Sequence, residues 1–206
     1  MALHVVDHPI AHDLLLSLRD KATPSDTFRQ LARRLSLVLT LEATRDLETL
    51  STTVETPLGP ATGTRVATEV VVVPVLRAGL GMLDAVLELL PRAKVGHIGL
   101  QRDEATAVAS KYYAKFPVGL ASARVLMIDP MLATGGSAVF ALDLLRDAGA
   151  TDIRLLCIVA SPEGIKTVEA AYPGVQIYTP VVDSHLNPRK FIVPGLGDFG
   201  DRLYGT

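Results

Sequence analysis

The chain has 206 residues, of which 49% are hydrophobic and 20% are charged, and its formal net charge is −2. This composition argues against a disordered chain, and the small negative net charge gives no general basic footprint for nucleic acid. The length suits one α/β domain spanning residues 1–206 with a proper hydrophobic core. The chain shows neither a signal-peptide pattern nor an apolar segment long enough to span a membrane, so we expect a cytoplasmic protein. Cys157 lies in an apolar run and is expected to be buried and unreactive.

The N-terminal part of the chain predicts a helical segment followed by a projecting β-arm. Pro24-Ser25-Asp26 is typical of a helix start, and apolar residues then recur at helical spacing. The arginines of that helix could bind an anion, although a solvated face is the favoured interpretation. Residues from about 52 to 65 alternate β-branched residues around Pro and Gly, which predicts an exposed arm with a turn near residues 58–60. Such arms commonly serve subunit contacts, so we expect a homodimer or a larger homo-oligomer.

The core from about residue 66 to 182 alternates strand and helix patterns. Nearly continuous apolar strands joined by helices predict a parallel twisted sheet flanked by helices, which is an α/β fold. In such sheets ligands bind beyond the carboxyl ends of the strands, so the residues that follow each strand are the candidates for function. Strands are predicted at 69–75, 94–100, 124–128, 153–159 and 175–179, and helices at 81–90, 137–148 and 164–172.

The strongest functional pattern is Asp129-Pro-Met-Leu-Ala-Thr-Gly-Gly-Ser137, which follows the third predicted strand and precedes a helix. Gly135 and Gly136 leave room for a phosphate to approach backbone N–H groups, Thr134 and Ser137 add hydroxyl donors, and the helix directs its positive end at the anion. Asp129 suits a ribose hydroxyl or a water molecule of hydrated Mg²⁺. The pattern is not a P-loop, because the Gly-Lys-Ser/Thr ending is missing.

Two arginines follow the first two predicted strands. Arg77 and Arg102 are therefore placed to hold an anion at the same edge of the sheet, although Arg77 alone would suggest an ordinary strand-to-helix turn. The segment from about 103 to 121 has no clear periodicity and carries lysines and tyrosines. Two interpretations stay open for it: a lid that closes over a charged substrate, or a solvated β-hairpin.

The C-terminal segment is rich in glycine. Gly195-Leu-Gly-Asp-Phe-Gly200 matches the dinucleotide-binding pattern, but only six residues follow Gly200, so we expect neither a helix nor a βαβ unit after it. The exposed backbone groups of this segment could instead read the edge of a flat polar heterocycle, with Ile192 or Phe199 near its face.

Together these motifs resemble the type I phosphoribosyltransferases, and specifically the uracil phosphoribosyltransferase family. The resemblance covers residues from about 7 to 206. It is strongest in four motifs, Pro74-Val-Leu-Arg-Ala-Gly-Leu-Gly-Met82, Asp129-Pro-Met-Leu-Ala-Thr-Gly-Gly-Ser137, Ser161-Pro-Glu-Gly-Ile165 and Val193-Pro-Gly-Leu-Gly-Asp-Phe-Gly-Asp201. The motifs that begin at Ser161 and at Val193 are specific to the uracil enzymes, and Pro130 also fits that subgroup.

The resemblance implies the transfer of a 5-phosphoribosyl group from 5-phosphoribosyl 1-diphosphate (PRPP) to uracil, giving UMP and diphosphate in pyrimidine salvage. It implies Mg²⁺ carried by PRPP with no metal bound directly by the protein, catalytic roles for Arg102, Asp129 and Asp198, and a hood over the base formed by the N-terminal segment and residues 183–206. Some family members respond to GTP, which leaves a GTP effector open. Uracil contacts are implied for Ile192, Gly197, Asp198 and Phe199. PRPP contacts are implied for Arg77, Arg102, Asp129, Pro130, Met131, Leu132, Ala133, Thr134, Gly135, Gly136, Ser137 and Asp198.

Phe199 stands where relatives carry a small residue, so the sequence leaves the shape of the base pocket open. Two other functions were weighed. One is a phosphoribosyltransferase for another base, which the C-terminal glycine-rich segment disfavours. The other is a regulatory RNA-binding protein built on the same fold, which would need a basic face that a net charge of −2 does not promise.

Overall fold

The computed structural model describes the backbone of residues 3–102 and 109–206 and the side chains of residues 3–101 and 110–206. Its helices are α1 Pro9–Arg19, α2 Ser25–Ala43, α3 Leu80–Leu89, α4 Gly136–Asp147, α5 Pro162–Ala171 and α6 Phe199–Tyr204. Its strands are β1 Leu3–Val5, β2 Thr49–Thr56, β3 Gly59–Val66, β4 Val70–Leu76, β5 Lys94–Val95, β6 His97–Arg102, β7 Ala109–Lys115, β8 Arg124–Ile128, β9 Met131–Leu132, β10 Asp152–Leu156, β11 Val159–Ala160, β12 Gln176–Thr179, β13 His185–Leu186 and β14 Ile192–Val193.

A central sheet with the order β1-β12-β10-β8-β4-β6-β7 forms the frame of the molecule, and β5 pairs with β4. Every neighbouring pair in it is parallel except β6 and β7, which are antiparallel. Helices cover both faces, which confirms the predicted α/β fold. Two small pairs, β9 with β11 and β13 with β14, extend from the sheet edge where the strands end.

Strand β4 shows why the central strands read as continuous apolar runs. Val70 and Val72 point into a hydrophobic core shared with α1, α2, α3 and α6, whereas Val71 and Val73 point into a second core shared with α4 and α5. Because successive side chains of a strand alternate between faces, a strand buried on both faces has no polar positions.

The predicted β-arm is present as the antiparallel hairpin of β2 and β3, and nearly all of its residues are exposed. It begins and ends slightly outside the predicted bounds, and Leu58 at its turn is 99% exposed. The segment from 103 to 121 divides differently. Residues 109–115 form β7, which pairs with β6 as a β-hairpin, while residues 103–108 lie outside the described residues.

One prediction was wrong: a helix, α6, begins at Phe199 inside the glycine-rich C-terminal motif and continues past Gly200. The Oδ1 atom of Asp198 accepts a hydrogen bond from the N–H of Asp201 at 2.9 Å and thereby caps the helix start. Gly205, in the left-handed conformation with φ 74°, closes the helix end. The two caps and the packing of the apolar side chains of α6 in the core together stabilise a helix of only six residues.

The remaining differences concern short elements. The predicted strand at 153–159 divides into β10 and β11, and the one at 94–100 divides into β5 and β6. Strand β1 was not predicted, because three residues are too few to show a period. The bounds of α1 were not predicted either. Within residues 3–102 and 109–206, no helix combines the length and the apolar character needed to cross a membrane.

Candidate active site

A cavity of about 470 Å³ opens at the carboxyl ends of β4, β6 and β8. This is the edge at which open α/β sheets bind ligands, and the volume lies in the range of small-molecule sites. Three segments that are distant in sequence meet there: the turn after β4, the loop after β8 and the C-terminal glycine-rich segment. Of the residues that the sequence predicted, the cavity is lined by Arg77, Asp129, Met131, Ala133, Ser137, Ile192, Gly197, Asp198 and Phe199.

The loop from Asp129 to Ser137 is held in an extended path before it turns into α4. Within it, β9 pairs in parallel with β11, and the carbonyl of Pro130 accepts hydrogen bonds from the N–H groups of Ile158 and Val159 at 2.9 and 3.0 Å. Gly135 is the N-cap of α4 and has φ 82°, a conformation that side chains disfavour. The N-cap residue makes no side-chain hydrogen bond to α4, and the N–H of Gly136 lies 3.4 Å from its acceptor, Thr134 Oγ1. The predicted anion site at this helix N-terminus stays a prediction.

Other members of the same loop lie away from the cavity. Pro130, Leu132, Thr134, Gly135 and Gly136 do not line the cavity. Leu132 is buried in the core beside α4 and α5, and Pro130 is buried as well. Side-chain contacts with a substrate are thus excluded for Leu132 and Pro130 in this conformation, and any role that they have in PRPP binding depends on where they hold the loop.

The first turn of α5 supports the loop from below. The buried hydroxyl of Ser161 donates to the carbonyl of Ala133 at 2.6 Å and accepts from the N–H of Gly164 at 3.0 Å. A Cβ atom on Gly164 would lie 2.4 Å from the carbonyl oxygen of Ala133 and 2.7 Å from that of Leu132. The Ser161-Pro-Glu-Gly motif therefore has a structural meaning: it allows α5 to pack directly against the loop backbone.

Arg77 follows β4 directly and lines the cavity opposite the loop. The peptide bond between Leu76 and Arg77 is cis. The guanidinium carbon of Arg77 lies 5.9 Å from the ring centre of Tyr204, whose hydroxyl donates to the carbonyl of Arg77 at 3.3 Å. A cation near an aromatic face is attracted by the ring. The C-terminal helix thus contacts both the backbone and the side chain of Arg77.

Arg102 is the last residue of β6, the neighbour of β4 in the sheet. Its backbone therefore lies at the predicted edge, whereas its side chain lies outside the described residues. The anion-binding role of Arg102 remains a prediction.

The C-terminal segment forms the third wall of the cavity. The hairpin of β13 and β14 leads through a cis Val193–Pro194 bond to Gly195 and Gly197, which have φ 57° and 80°. Asp198 then lines the cavity and caps α6. Within this wall Gly197 presents only backbone to the cavity, and Asp198 adds a carboxylate side chain.

Phe199 lines the cavity, but the residue is only 2% exposed, and its ring packs edge-on against Phe28 at 5.1 Å between ring centres. The bulk of the side chain therefore belongs to the core between α2 and α6. The sequence could not assign this orientation.

Sequence reasoning missed three residues of the wall: Arg189, Lys190 and Phe191 also line the cavity. Lys190 has φ 67° and is the non-glycine residue with positive φ among the described residues. The consecutive basic pair beside the glycine-rich motif was the available signal. Two unassigned cations at the rim of a cavity with arginine and aspartate walls favour anionic substrates.

Cys157 is fully buried, and this burial raises the pKa of its thiol to about 12. The prediction of an unreactive thiol is therefore supported, because thiolate is the nucleophilic form of cysteine. Among the described residues, His, Cys, Asp and Glu side chains form no group of three that could hold a metal ion.

Comparison with known proteins identifies the family of the chain. The family model for uracil phosphoribosyltransferase matches residues 5–206. The chain is 48% identical over 205 residues to the uracil phosphoribosyltransferase of Halalkalibacterium halodurans, covering 99% of this chain and 98% of that protein. It is 45% identical over 203 residues to the uracil phosphoribosyltransferase of Enterococcus faecalis, covering 98% and 97%.

Solved structures extend the comparison. The AQ2163 protein from Aquifex aeolicus is similar with a TM-score of 0.94 at 35% identity, covering 99% of this chain and 98% of that chain. The adenine phosphoribosyl transferase of Trypanosoma brucei, solved with AMP, pyrophosphate and ribose-5-phosphate, has a TM-score of 0.60 at 14% identity over 88% of this chain and 84% of that chain, which shows a shared fold. By its sequence, its fold and the residues assembled at this cavity, the chain belongs to the uracil phosphoribosyltransferase family.

Proposed function

We propose that this protein transfers the 5-phosphoribosyl group from PRPP to uracil and releases UMP and diphosphate. One observation carries the proposal: a single cavity joins an anion-binding loop at a helix N-terminus, an arginine at the neighbouring strand end and a backbone wall suited to a heterocycle. These three features correspond to the phosphate, the diphosphate and the base of the two substrates. Membership of the uracil phosphoribosyltransferase family supports the same reaction.

In the proposed reaction the bond between C1 of the ribose and the diphosphate oxygen breaks, and its electron pair leaves with the diphosphate. Uracil N1 bonds to C1 and releases its proton to the solvent. Positive charge develops on the ribose and negative charge on the leaving diphosphate. Arg77 and Arg102 would stabilise the diphosphate, since cations fixed in place before the reaction cost no reorganisation. Holding two substrates in line can supply about 7–11 kcal/mol of the barrier reduction, so alignment is the main task of the protein.

The loop from Asp129 to Ser137 would hold the ribose 5-phosphate. The end of a helix contributes only about 0.3–2 kcal/mol to anion binding, so the N–H and hydroxyl contacts of the loop must provide most of the affinity. Asp129 would contact the ribose hydroxyls. It would also hold Mg²⁺ through water, since a carboxylate at the cavity wall suits a hydrated Mg²⁺ that arrives with PRPP. When bound, Mg²⁺ would supply positive charge beside the diphosphate.

The wall from Ile192 to Phe199 would bind uracil through backbone groups, with Asp198 between the base and the PRPP side. Backbone N–H and C=O groups have fixed polarity. They would reject cytosine because its altered 4-position and ring nitrogen leave a buried polar group unpaired, at a cost of about 1–3 kcal/mol. The deep position of the Phe199 ring supports this arrangement, since it leaves the backbone of that residue to face the base.

The decisive experiment is the formation of UMP from labelled uracil and PRPP in the presence of Mg²⁺. A panel of other bases in the same assay, read as diphosphate release, separates uracil transfer from the transfer of another base. No UMP at high enzyme concentration would contradict the proposal. Arg102→Ala should impair the use of PRPP far more than that of uracil, and equal losses for both substrates would contradict the diphosphate role.

We further propose a homo-oligomer in which the β2–β3 arm contacts a second copy of the chain. The exposed apolar side chains of Leu50, Val54 and Leu58 on this arm support the proposal. Light scattering of the purified protein tests it, with removal of the arm tip as the comparison. Addition of GTP to the UMP assay tests the effector that the family resemblance leaves open.

A further inference from the structure

The ion pair of Arg19 and Asp183 forms hydrogen bonds with both the N–H and the carbonyl of Gly195, in the glycine-rich turn of the C-terminal wall. Arg19, the last residue of α1, donates from Nη1 and Nη2 to the two carboxylate oxygens of Asp183 at 2.9 and 2.6 Å. The same Nη1 donates to the carbonyl of Gly195 at 2.7 Å, and Asp183 Oδ2 accepts from the N–H of Gly195 at 2.8 Å. We call these two side chains the Arg19–Asp183 clamp.

The clamp is shielded from water. The side chain of Asp183 is 3% exposed and that of Arg19 is 19% exposed. Hydrogen bonds in such surroundings are stronger than at the surface, and a forked arginine–carboxylate pair fixes orientation as well as distance. Both polar groups of Gly195 are thereby held by one rigid unit.

Asp183 is itself anchored to the half of the site that would bind phosphate. Its N–H donates to the carbonyl of Ala160 at 2.8 Å. Ala160 belongs to β11, which pairs with β9 inside the loop that follows Asp129. A continuous path of hydrogen bonds therefore runs from the anion-binding loop through β11 and Asp183 to Gly195.

The glycine-rich turn depends on hydrogen bonds from other segments because its glycines have no side chains that could hold it in place. Gly195 and Gly197 have positive φ and no side chains to pack. Gly195 also packs directly against the backbone of Ile192, since a Cβ atom on Gly195 would be 2.2 Å from the carbonyl oxygen of Ile192. Arg202 holds the next carbonyl, that of Leu196, at 2.8 Å. The backbone of this segment is thus fixed by side chains that lie outside the cavity.

We propose that Arg19 and Asp183 are positioning residues for base recognition, and that they set the place of the uracil-reading backbone relative to the phosphate loop. This inference rests on the proposed uracil transfer. A backbone that discriminates by hydrogen-bond polarity works only when its groups are held within a fraction of an ångström. Neither side chain lines the cavity, so both act through Gly195 rather than on the substrate.

The test compares steady-state kinetics of Asp183→Asn and Arg19→Lys with those of the unmodified protein. Asparagine keeps one oxygen acceptor but loses the negative charge of Asp183. Lysine keeps the positive charge of Arg19 but loses the two parallel N–H donors of the guanidinium group. Each change should raise KM for uracil by about tenfold, which corresponds to the loss of roughly one charge-assisted hydrogen bond. KM for PRPP should stay within about twofold, because the phosphate loop keeps its own supports.

Asp46→Asn is the control. Asp46 also forms a forked pair, with the buried Arg154 at 2.7 and 2.6 Å, but its own side chain is 60% exposed and it does not line the cavity. The control should lower the melting temperature without changing KM for uracil. If both clamp variants keep KM for uracil within about twofold, or if the control shifts it equally, the positioning role is wrong. Should Asp183→Asn not fold, Arg19→Lys decides alone. Absence of UMP with the unmodified protein would instead contradict the proposed function.

Discussion

Substitution of the two adjacent glycines in the loop before α4 should separate a structural role from a substrate-binding role. The sequence treats Gly135 and Gly136 alike, as residues that let a phosphate approach. The structure distinguishes them. Gly135 has φ 82°, and a Cβ atom there would lie 2.7 Å from Thr167 Cβ and 2.8 Å from the carbonyl oxygen of Gly164. A Cβ atom on Gly136 would meet Thr134 Oγ1 at an ordinary 3.7 Å.

Gly135→Ala should therefore destabilise the fold. A left-handed conformation costs alanine about 1–2 kcal/mol, and crowding against α5 adds about 1–3 kcal/mol. We expect a total near 3 kcal/mol. At about 2–4 °C per kcal/mol for a chain of this size, that lowers Tm by roughly 6–12 °C.

Gly136→Ala should leave Tm unchanged or slightly raised, because alanine in the first turn of a helix is favoured over glycine by up to about 1 kcal/mol. Its methyl group would occupy the space through which a phosphate reaches the N–H groups of α4. The loss of one such charge-assisted contact, about 1.5–3 kcal/mol, should raise KM for PRPP by roughly 10–100-fold. Thermal unfolding and UMP formation at varied PRPP measure both quantities. An unchanged Tm together with KM for PRPP within about twofold of the unmodified protein would refute phosphate binding at this backbone.

Four further expectations concern single side chains. Asp198→Asn should lower kcat while keeping Tm, since asparagine caps a helix as well as aspartate does and only the charge at the cavity is lost; a collapsed Tm would make the residue structural. Lys190→Gly should raise stability by about 1 kcal/mol in thermal unfolding, because glycine tolerates the φ of 67° found there. Hydrogen bonds from Arg154 hold the pKa of Asp46 below its usual value. The stabilising effect of the Asp46 carboxylate is therefore complete above about pH 4 and is lost as the pH falls further. The Tm difference between the unmodified protein and Asp46→Asn should shrink below that pH. Cys157 should react with iodoacetamide only after denaturation, and labelling of the folded protein would contradict its burial.

The parts of the fold that the sequence predicted are those with a strong local pattern. Buried strands such as β8 read as apolar runs because both of their faces are covered, and the loop from Asp129 to Ser137 reads as an anion site because strand, glycines and helix follow one another. Strand β1 and helix α6 are too short to show a period. Their formation depends on tertiary contacts: β1 pairs with β12, and α6 packs against α2.

The sequence predicted the segments that line the cavity but not the residues that hold those segments in place. Each cavity-lining segment carries its own glycines, acids or arginines, and these are visible in sequence. The Arg19–Asp183 clamp joins residues 164 positions apart, and neither residue stands in a recognisable motif. The buried hydroxyl of Ser161 is similar, since its partner, the carbonyl of Ala133, is a backbone atom that every residue possesses. Residues that act by holding backbone are therefore the ones that sequence reasoning is least able to find.

Phe199 illustrates the same principle within the base wall. A large side chain at this position suggests a narrowed pocket as long as the residue is considered alone. In the fold, the ring fills space that Gly81 leaves free, because a Cβ atom on Gly81 would lie 3.2 Å from the Phe199 ring and 2.9 Å from Leu203. Phe199 and Gly81 therefore form one packing unit in the core, which is closed on its other side by Phe28. A change of side-chain size at 199 then acts first on the packing of α6. If uracil binds at this wall as proposed, the backbone would set the polarity that the base meets, and the side chains that hold the backbone would set its position.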